Sequence, residues 1–130
     1  MNVIRLTEYN DANDATRGLY EQVERKFGVV PNFIKAMGDN PVFLESVLRM
    51  HAAVFDGGEI PARYKNLIAL AVSMTNGCNY CTSSFTAHAQ ASEATERELA
   101  ETRAIVSLLS AYNKFLMTSG IPCDIEPTRG

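Results

Sequence analysis

Apolar side chains recur along most of the chain at the three- and four-residue intervals of an α-helix. No segment alternates with the two-residue period of a half-buried strand. Capping residues, prolines and glycines divide the pattern into helix-length segments. The predicted helices cover residues 13–27, 31–37, 41–56, 62–76, 78–91 and 96–118. The sequence therefore predicts an all-α fold, a helical bundle.

The apolar stripes of these helices predict what each one buries. The stripe of the third helix should face a core, and the fourth helix is apolar nearly all the way round, as in a central helix or a subunit interface. The last helix carries one more apolar stripe. The third helix contributes Phe43, Leu44, Val47, Leu48, His51, Val54 and Phe55, and the last contributes Ile105, Leu108, Leu109, Tyr112, Phe115 and Leu116.

The size of the chain fits one domain. It has 130 residues and a mass of 14.3 kDa, with 46% hydrophobic and 21% charged residues, as in an ordinary globular protein. We expect a single domain over residues 1–130, with a loosely ordered tail at 122–130 after the helix-ending Gly120 and Pro122.

Charge and hydropathy narrow the possible partners. The net charge is -3 and the pI is near 5.3, which argues against a nucleic-acid-binding protein. The longest apolar run, Leu67 to Val72, is too short to cross a membrane, and residues 1–10 do not resemble a signal peptide. The glycines are scattered helix stops and form no phosphate-binding loop, so no cofactor is predicted. We expect a cytoplasmic protein that binds neither nucleic acid nor a membrane.

The segment with the clearest chemistry begins with Cys78 and Cys81, at the start of the fifth helix. Residues three apart share one face of a helix, close enough to form a disulfide if the first turn relaxes. The unpaired N–H groups at a helix N-terminus stabilise a thiolate and lower the thiol pKa. A thiolate attacks a peroxide to give a sulfenic acid, which a neighbouring thiol converts into a disulfide.

Two other interpretations of the cysteines stay open. The pair could be a coincidence of buried free thiols, which are common in helical cores. A structural zinc site would need four ligands, and only Cys78, Cys81, His88 and the distant Cys123 are available. We therefore predict no metal site, and Cys123 has no obvious partner.

The segment from Arg63 to His88 resembles the core of the alkylhydroperoxidase D and carboxymuconolactone decarboxylase family. It contains the motif Cys78-Asn79-Tyr80-Cys81. The similarity extends more weakly over residues 29–121, the expected core of the domain. It implies an all-helical homo-oligomer, a trimer or hexamer.

In the peroxidase branch of this family the second cysteine attacks the peroxide and the first resolves the sulfenic acid. The resemblance thus implies that Cys81 attacks a hydroperoxide substrate and that Cys78 resolves. It also implies that a dithiol, a lipoyl group or a thioredoxin-like protein, restores both thiols. The decarboxylase branch generally lacks the cysteine pair.

The sequence departs from the family's proton relay at two positions. Asn66 stands where the relay has a glutamate, and Phe85 stands where it has a histidine; neither side chain transfers a proton. His88 is a candidate substitute, but it lies seven residues after Cys81, about 10.5 Å along a helix axis. Tyr80, where some members have another histidine, either supplies a hydroxyl near the thiolate or packs. If no other group acts as the acid, peroxidase activity should be weak.

The sequence therefore supports a thiol-dependent hydroperoxide reductase of antioxidant type, with Cys81, Cys78, His88 and Tyr80 as candidate catalytic residues. Two alternatives stay open. The domain could be an oligomeric scaffold that has lost peroxidase chemistry and binds a ligand or partner, as Asn66 and Phe85 suggest. It could also be a carboxymuconolactone decarboxylase-like enzyme, whose activity would not depend on thiols.

Overall fold

A computed structural model describes residues 4–128 of the chain and confirms the all-α prediction. A short 3-10 turn at Tyr9–Asp11 precedes the α-helices, and no strand occurs within the described residues. The chain divides between Asp56 and Gly57 into two compact units. The helices are α1 (Asp14–Phe27), α2 (Asn32–Lys35), α3 (Pro41–Phe55), α4 (Ala62–Asn76), α5 (Asn79–Ala91) and α6 (Glu96–Ser119).

The first unit is held together by α1 and the elements that pack on it. The side chain of Asn13 caps α1 by accepting a hydrogen bond from the Thr16 N–H at 2.8 Å. The hydroxyl of Tyr20 is buried and donates to the Thr7 carbonyl at 2.7 Å, and burial raises the pKa of this tyrosine. The core of the unit consists of Ala12, Leu19, Tyr20, Val23, Ile34 and Leu44.

Two predictions about this unit were wrong in detail. The second helix is shorter than predicted, because the chain leaves α2 at Lys35 through turns whose N–H groups bond three residues back. The stripe of α3 does not all face a core: Leu44 is buried, whereas Phe43 is 52% and Val54 is 56% exposed. Helical periodicity identifies the apolar side of α3, but within the chain only part of that side is covered.

The second unit has its core where α4, α5 and α6 meet. Leu70, Ala89 and Leu99 are fully buried there, one from each helix. Partly buried apolar side chains complete this core: Leu67, Met74, Phe85 and Ala94. Of the two predicted roles of α4, a central helix or a subunit interface, the first fits Leu70, which is buried, but does not fit Val72, which is 53% exposed in the single chain.

The helix α6 extends beyond the core that its first turns join. A capping box formed by Thr95 and Glu98 precedes its first residue, Glu96, which is the predicted start, and Gly120, with φ of 63°, ends it. Its buried residues, Leu99 and Thr102, lie in the first two turns. All six predicted stripe residues, Ile105 to Leu116, are exposed. No helix among residues 4–128 is both long and apolar enough to cross a membrane.

The residues after α6 have no regular secondary structure as far as Thr128. The predicted loosely ordered tail covers residues 122–130, of which Arg129 and Gly130 lie outside the described residues.

Asn66, which occupies the family's glutamate position, ties α4 to the end of α5. Its side-chain amide donates to the Ser92 hydroxyl at 3.1 Å and to the His88 carbonyl at 3.3 Å. The Ser92 hydroxyl in turn donates to carbonyls in the last turn of α5. These bonds satisfy polar groups at the C-terminal end of that helix.

We expect Asn66→Ala to lower the free energy of unfolding by about 0.5–1.5 kcal/mol, because it removes these hydrogen bonds. Urea denaturation followed by circular dichroism measures this change. Asn76→Ala, at the exposed last position of α4, is the matched control and should change stability by less than about 0.5 kcal/mol. Equal free energies of unfolding for the two variants would show that the Asn66 hydrogen bonds do not stabilise the fold.

Candidate active site at the start of α5

The corner between α4 and α5 positions the two cysteines. Gly77 ends α4 in the left-handed conformation, with φ of 73°, which glycine adopts without steric cost. The N–H of Cys78 then donates to the Ser73 carbonyl at 3.0 Å, and α5 begins at the next residue. The chain therefore turns from α4 into α5 within two residues, Gly77 and Cys78.

Cys78 caps α5 with its sulfur. Its Sγ accepts a hydrogen bond from the backbone N–H of Cys81 at 3.2 Å, in the position where serine, threonine, asparagine or aspartate usually caps a helix. Cys81 is the third residue of α5. Both side chains are half-buried free thiols. The sequence correctly predicts the pair at a helix N-terminus, but Cys78 lies one residue before the helix and not inside its first turn.

The environment of the two thiols separates their pKa values. The pKa of Cys78 is lowered, first by a hydrogen bond from the Cys81 side chain and then by the backbone N–H groups of Cys81 and Tyr80. The pKa of Cys81 is raised, first by its hydrogen bond to Cys78, then by burial and by repulsion from the Cys78 charge. The Cys81 N–H is donated to the Cys78 sulfur, so this amide favours the lowered pKa of Cys78, whereas the net shift of the Cys81 pKa is upward.

A shallow groove of about 630 Å³ runs along the first two turns of α5. Its lining is formed by Asn79, Tyr80, Ser83 and Ser84. Of these four residues, only Tyr80 is a predicted site residue. The sequence could have indicated the other three through their spacing. Residues 79 and 83 are four apart, as are residues 80 and 84, and residues four apart lie on one side of a helix.

The predicted relay positions do not surround the pair with acids or bases. Phe85 packs against the core of Leu70, Ala89 and Leu99. α5 runs without a break through both Cys81 and His88, so about 10.5 Å along the axis separates them. The exposed His88 ring lies 5.7 Å from the ring of Phe85. A catalytic role for His88 stays a prediction.

Other chemically active side chains lie away from the pair in sequence and have their own contacts. His51 stacks on Phe55, with ring centroids 4.7 Å apart, and meets the edge of Phe27 in the first unit. Cys123 is exposed in the segment after α6, where its thiol donates to the Ile125 carbonyl at 3.5 Å. Across residues 4–128, no three histidine, cysteine or acidic side chains are grouped so that they could hold a metal ion.

Comparisons with known proteins agree on one family. Residues 41–118 match the carboxymuconolactone decarboxylase family. The crystal structure of the alkylhydroperoxidase AhpD core from Rhodospirillum rubrum superposes with a TM-score of 0.88 and 27% sequence identity, over 95% of each chain. A search of curated proteins finds no match. With the family match covering more than half of its length, the chain belongs to the carboxymuconolactone decarboxylase family and has the fold of the AhpD core.

Proposed function

We propose that the protein is a thiol-dependent hydroperoxide reductase in which Cys78 and Cys81 cycle between a dithiol and a disulfide. The observation that carries this proposal is the hydrogen-bonded pair at the start of α5, where one sulfur has a lowered pKa. The thiolate is the reactive form toward peroxides. The similarity to a structure described as an alkylhydroperoxidase core supports the same chemistry.

The overall reaction needs two electrons from the pair. A hydroperoxide and two thiols give an alcohol, water and the Cys78–Cys81 disulfide. A dithiol donor, which is a lipoyl group or a thioredoxin-like protein, then attacks this disulfide. The exchange restores both cysteine thiols and oxidises the donor to a disulfide. Because both thiols must return to the reduced state, we propose that the protein acts in the cytoplasm.

A second candidate function is a binding scaffold without peroxidase activity. It is favoured by Asn66 and Phe85, which are used for hydrogen bonding and packing and supply no proton. The family name also includes a decarboxylase, whose activity would survive alkylation of the thiols. Both alternatives predict that the cysteine pair is dispensable.

We expect Cys78→Ser/Cys81→Ser to consume hydroperoxide at the background rate, because serine forms neither a thiolate nor a sulfenic acid. The measurement is the loss of tert-butyl hydroperoxide in the presence of dihydrolipoamide. Cys123→Ser, which removes the exposed third thiol, is the matched control and should keep the wild-type rate within about 2-fold. Wild-type consumption no faster than the double variant would favour the scaffold or the decarboxylase.

Tyr80, one residue before Cys81, suggests where the organic part of a substrate binds. It lies in the groove at the start of α5, whose lining includes neither cysteine, and it offers an exposed apolar ring, whereas Asn79, Ser83 and Ser84 offer polar groups. We propose that the ring of Tyr80 contacts the alkyl group of the hydroperoxide. The alternative, that its hydroxyl takes part in proton transfer, predicts a different response to mutation.

We expect Tyr80→Ala to raise KM for cumene hydroperoxide about 5-fold or more, equivalent to the loss of roughly 1 kcal/mol of apolar contact. KM for hydrogen peroxide, which has no alkyl group, should stay within about 2-fold. Tyr80→Phe is the control, and both of its KM values should match the wild type. A large fall in kcat for Tyr80→Phe would instead assign the hydroxyl to catalysis.

We further propose that a second copy of the chain covers the exposed stripe of α6. Five of its residues lie on one side of the helix, at the spacing that buries an apolar face, although the chain leaves all of them exposed. Contiguous apolar surface of this kind usually marks a protein interface. The residues are Ile105, Leu108, Leu109, Tyr112 and Leu116. The expected product is a homo-oligomer, a trimer or hexamer.

We expect Leu109→Glu/Leu116→Glu to reduce the mass measured by light scattering to the 14.3 kDa monomer, because charges cannot be buried unpaired in an apolar interface. The helical circular dichroism signal should not change. Lys114→Glu, on the opposite side of the same helix, is the control and should keep the oligomer. A wild-type mass of 14.3 kDa would overturn the proposed interface.

A further inference from the structure

We propose, on the basis of the α6 interface proposed above, that the exposed stripe of α6 in one copy packs on an exposed face of α4 in a second copy. This α4 face consists of Tyr64, Ile68 and Val72. Each copy gives one helix and receives another, so the contact joins two different surfaces of the same chain.

The later turns of α6 receive little burial from their own chain. In the part of the chain that the structure describes, every residue from Arg103 to Ser119 except Val106 is exposed. The large apolar residues among them are Ile105, Leu108, Leu109, Tyr112, Phe115, Leu116 and Met117. An isolated helix of this length, about 25 Å, is only marginally stable in water. Another protein surface therefore has to cover its apolar side.

Helix α4 is apolar on two sides, and its own unit covers one of them. On the first side, Leu70 is fully buried in the core with α5 and α6. On the other side, Tyr64, Ile68 and Val72 follow one another at intervals of four residues and are 44%, 51% and 53% exposed. An exposed apolar face of this kind marks a site of contact with another protein.

The chain from this face onward lacks charged side chains. Residues 66–92 contain no aspartate, glutamate, lysine or arginine, although these types make up 21% of the whole sequence. Burial in a core does not explain this, because only Leu70, Ser73 and Ala89 of the segment are buried. Exposed protein surface is ordinarily rich in charge, whereas the centre of a protein interface is depleted of it. The α4 face therefore has the composition of a covered surface.

The α6 stripe matches this face in length and in charge. The exposed part of α6 is about 25 Å long and α4 is about 22 Å long. Between residues 104 and 119 the one charged side chain is Lys114, on the side opposite the stripe. By contrast, α3, the other helix with an exposed apolar side, carries the exposed ion pair of Glu45 and Arg49. Packing α6 on α4 therefore buries no charged group, which would be costly without a partner.

Pairing two different surfaces also covers more of each copy than self-pairing of α6 would, because self-pairing leaves the α4 face exposed. A contact of this kind forms a closed ring when the rotation between copies closes. The second unit needs such support, since five residues are buried among 57–128: Leu70, Ser73, Ala89, Leu99 and Thr102. A unit with so small a core gains its stability from assembly.

The first test mixes two variants that each lose one side of the contact. Ile68→Glu removes the α4 face, and Leu109→Glu/Leu116→Glu removes the α6 stripe. We expect each variant alone to have the monomer mass of 14.3 kDa by light scattering, and their equimolar mixture to reach about twice that mass. The intact α6 of the first variant then binds the intact α4 of the second. Ala62→Glu, at an exposed α4 position outside the face, is the control and should keep the wild-type mass.

The outcomes distinguish this inference from the proposed α6 interface. If Ile68→Glu keeps the wild-type mass or forms a dimer by itself while the α6 variant is a monomer, α6 packs on itself or elsewhere. The inference then fails and the α6 interface stands. A mixture that stays monomeric also overturns the pairing of α6 with α4. A monomeric wild type overturns both proposals and leaves the two surfaces to a different partner.

The second test introduces no charge and so applies even if Ile68→Glu does not fold. In a background of Cys78→Ser, Cys81→Ser and Cys123→Ser, Ile68→Cys and Leu109→Cys are introduced near the middle of the two paired segments, where they meet in either helix direction. We expect a bismaleimide to join chains carrying both substitutions into covalent dimers and larger products, and either substitution alone to give at least about 5-fold less. Equal cross-linking of Leu109→Cys alone, or no product from the doubly substituted chain, would contradict the proposed contact.

Discussion

The hydrogen bond from the Cys81 N–H to the Cys78 sulfur links the fold of the second unit to its chemistry. It closes the first turn of α5 as a capping bond and at the same time brings an amide N–H of that turn to the Cys78 sulfur. The tight corner at Gly77 makes this possible, because it leaves a single residue between the glycine and the helix. The atom that caps α5 is therefore a thiol sulfur, and a serine at position 78 would keep the cap while losing the thiol.

The helix boundaries were largely predictable because they depend on neighbouring residues. Asn13, Gly28, Gly77 and the Thr95–Glu98 box act within one turn, and each begins or ends a helix where the sequence indicates. Burial was less predictable. Periodicity identifies the apolar side of α3 and α6 but says nothing about what lies against it. Val54 was therefore assigned to a core that the chain itself does not provide, and the stripe of α6 is exposed as well.

The candidate site was predictable in its residues and not in its electrostatics. The Cys78-x-x-Cys81 spacing and the following helix could be read from the sequence, because both are local. Which sulfur has the lower pKa depends on whether position 78 lies in the first turn or one residue before it, and a shift of one residue lies within the usual uncertainty of a helix end. That shift places the Cys78 sulfur on the N–H of Cys81, in an arrangement where the pKa of Cys78 is lowered and that of Cys81 is raised.

Asn66 and Phe85 look like losses when they are compared with a proton relay, but both side chains have structural roles. The amide of Asn66 holds the end of α5 against α4, and the ring of Phe85 fills the core between the three helices of the second unit. A glutamate or a histidine there would have to form other contacts, and a charge beside that core would need a partner. Both positions therefore serve hydrogen bonding and packing within the second unit.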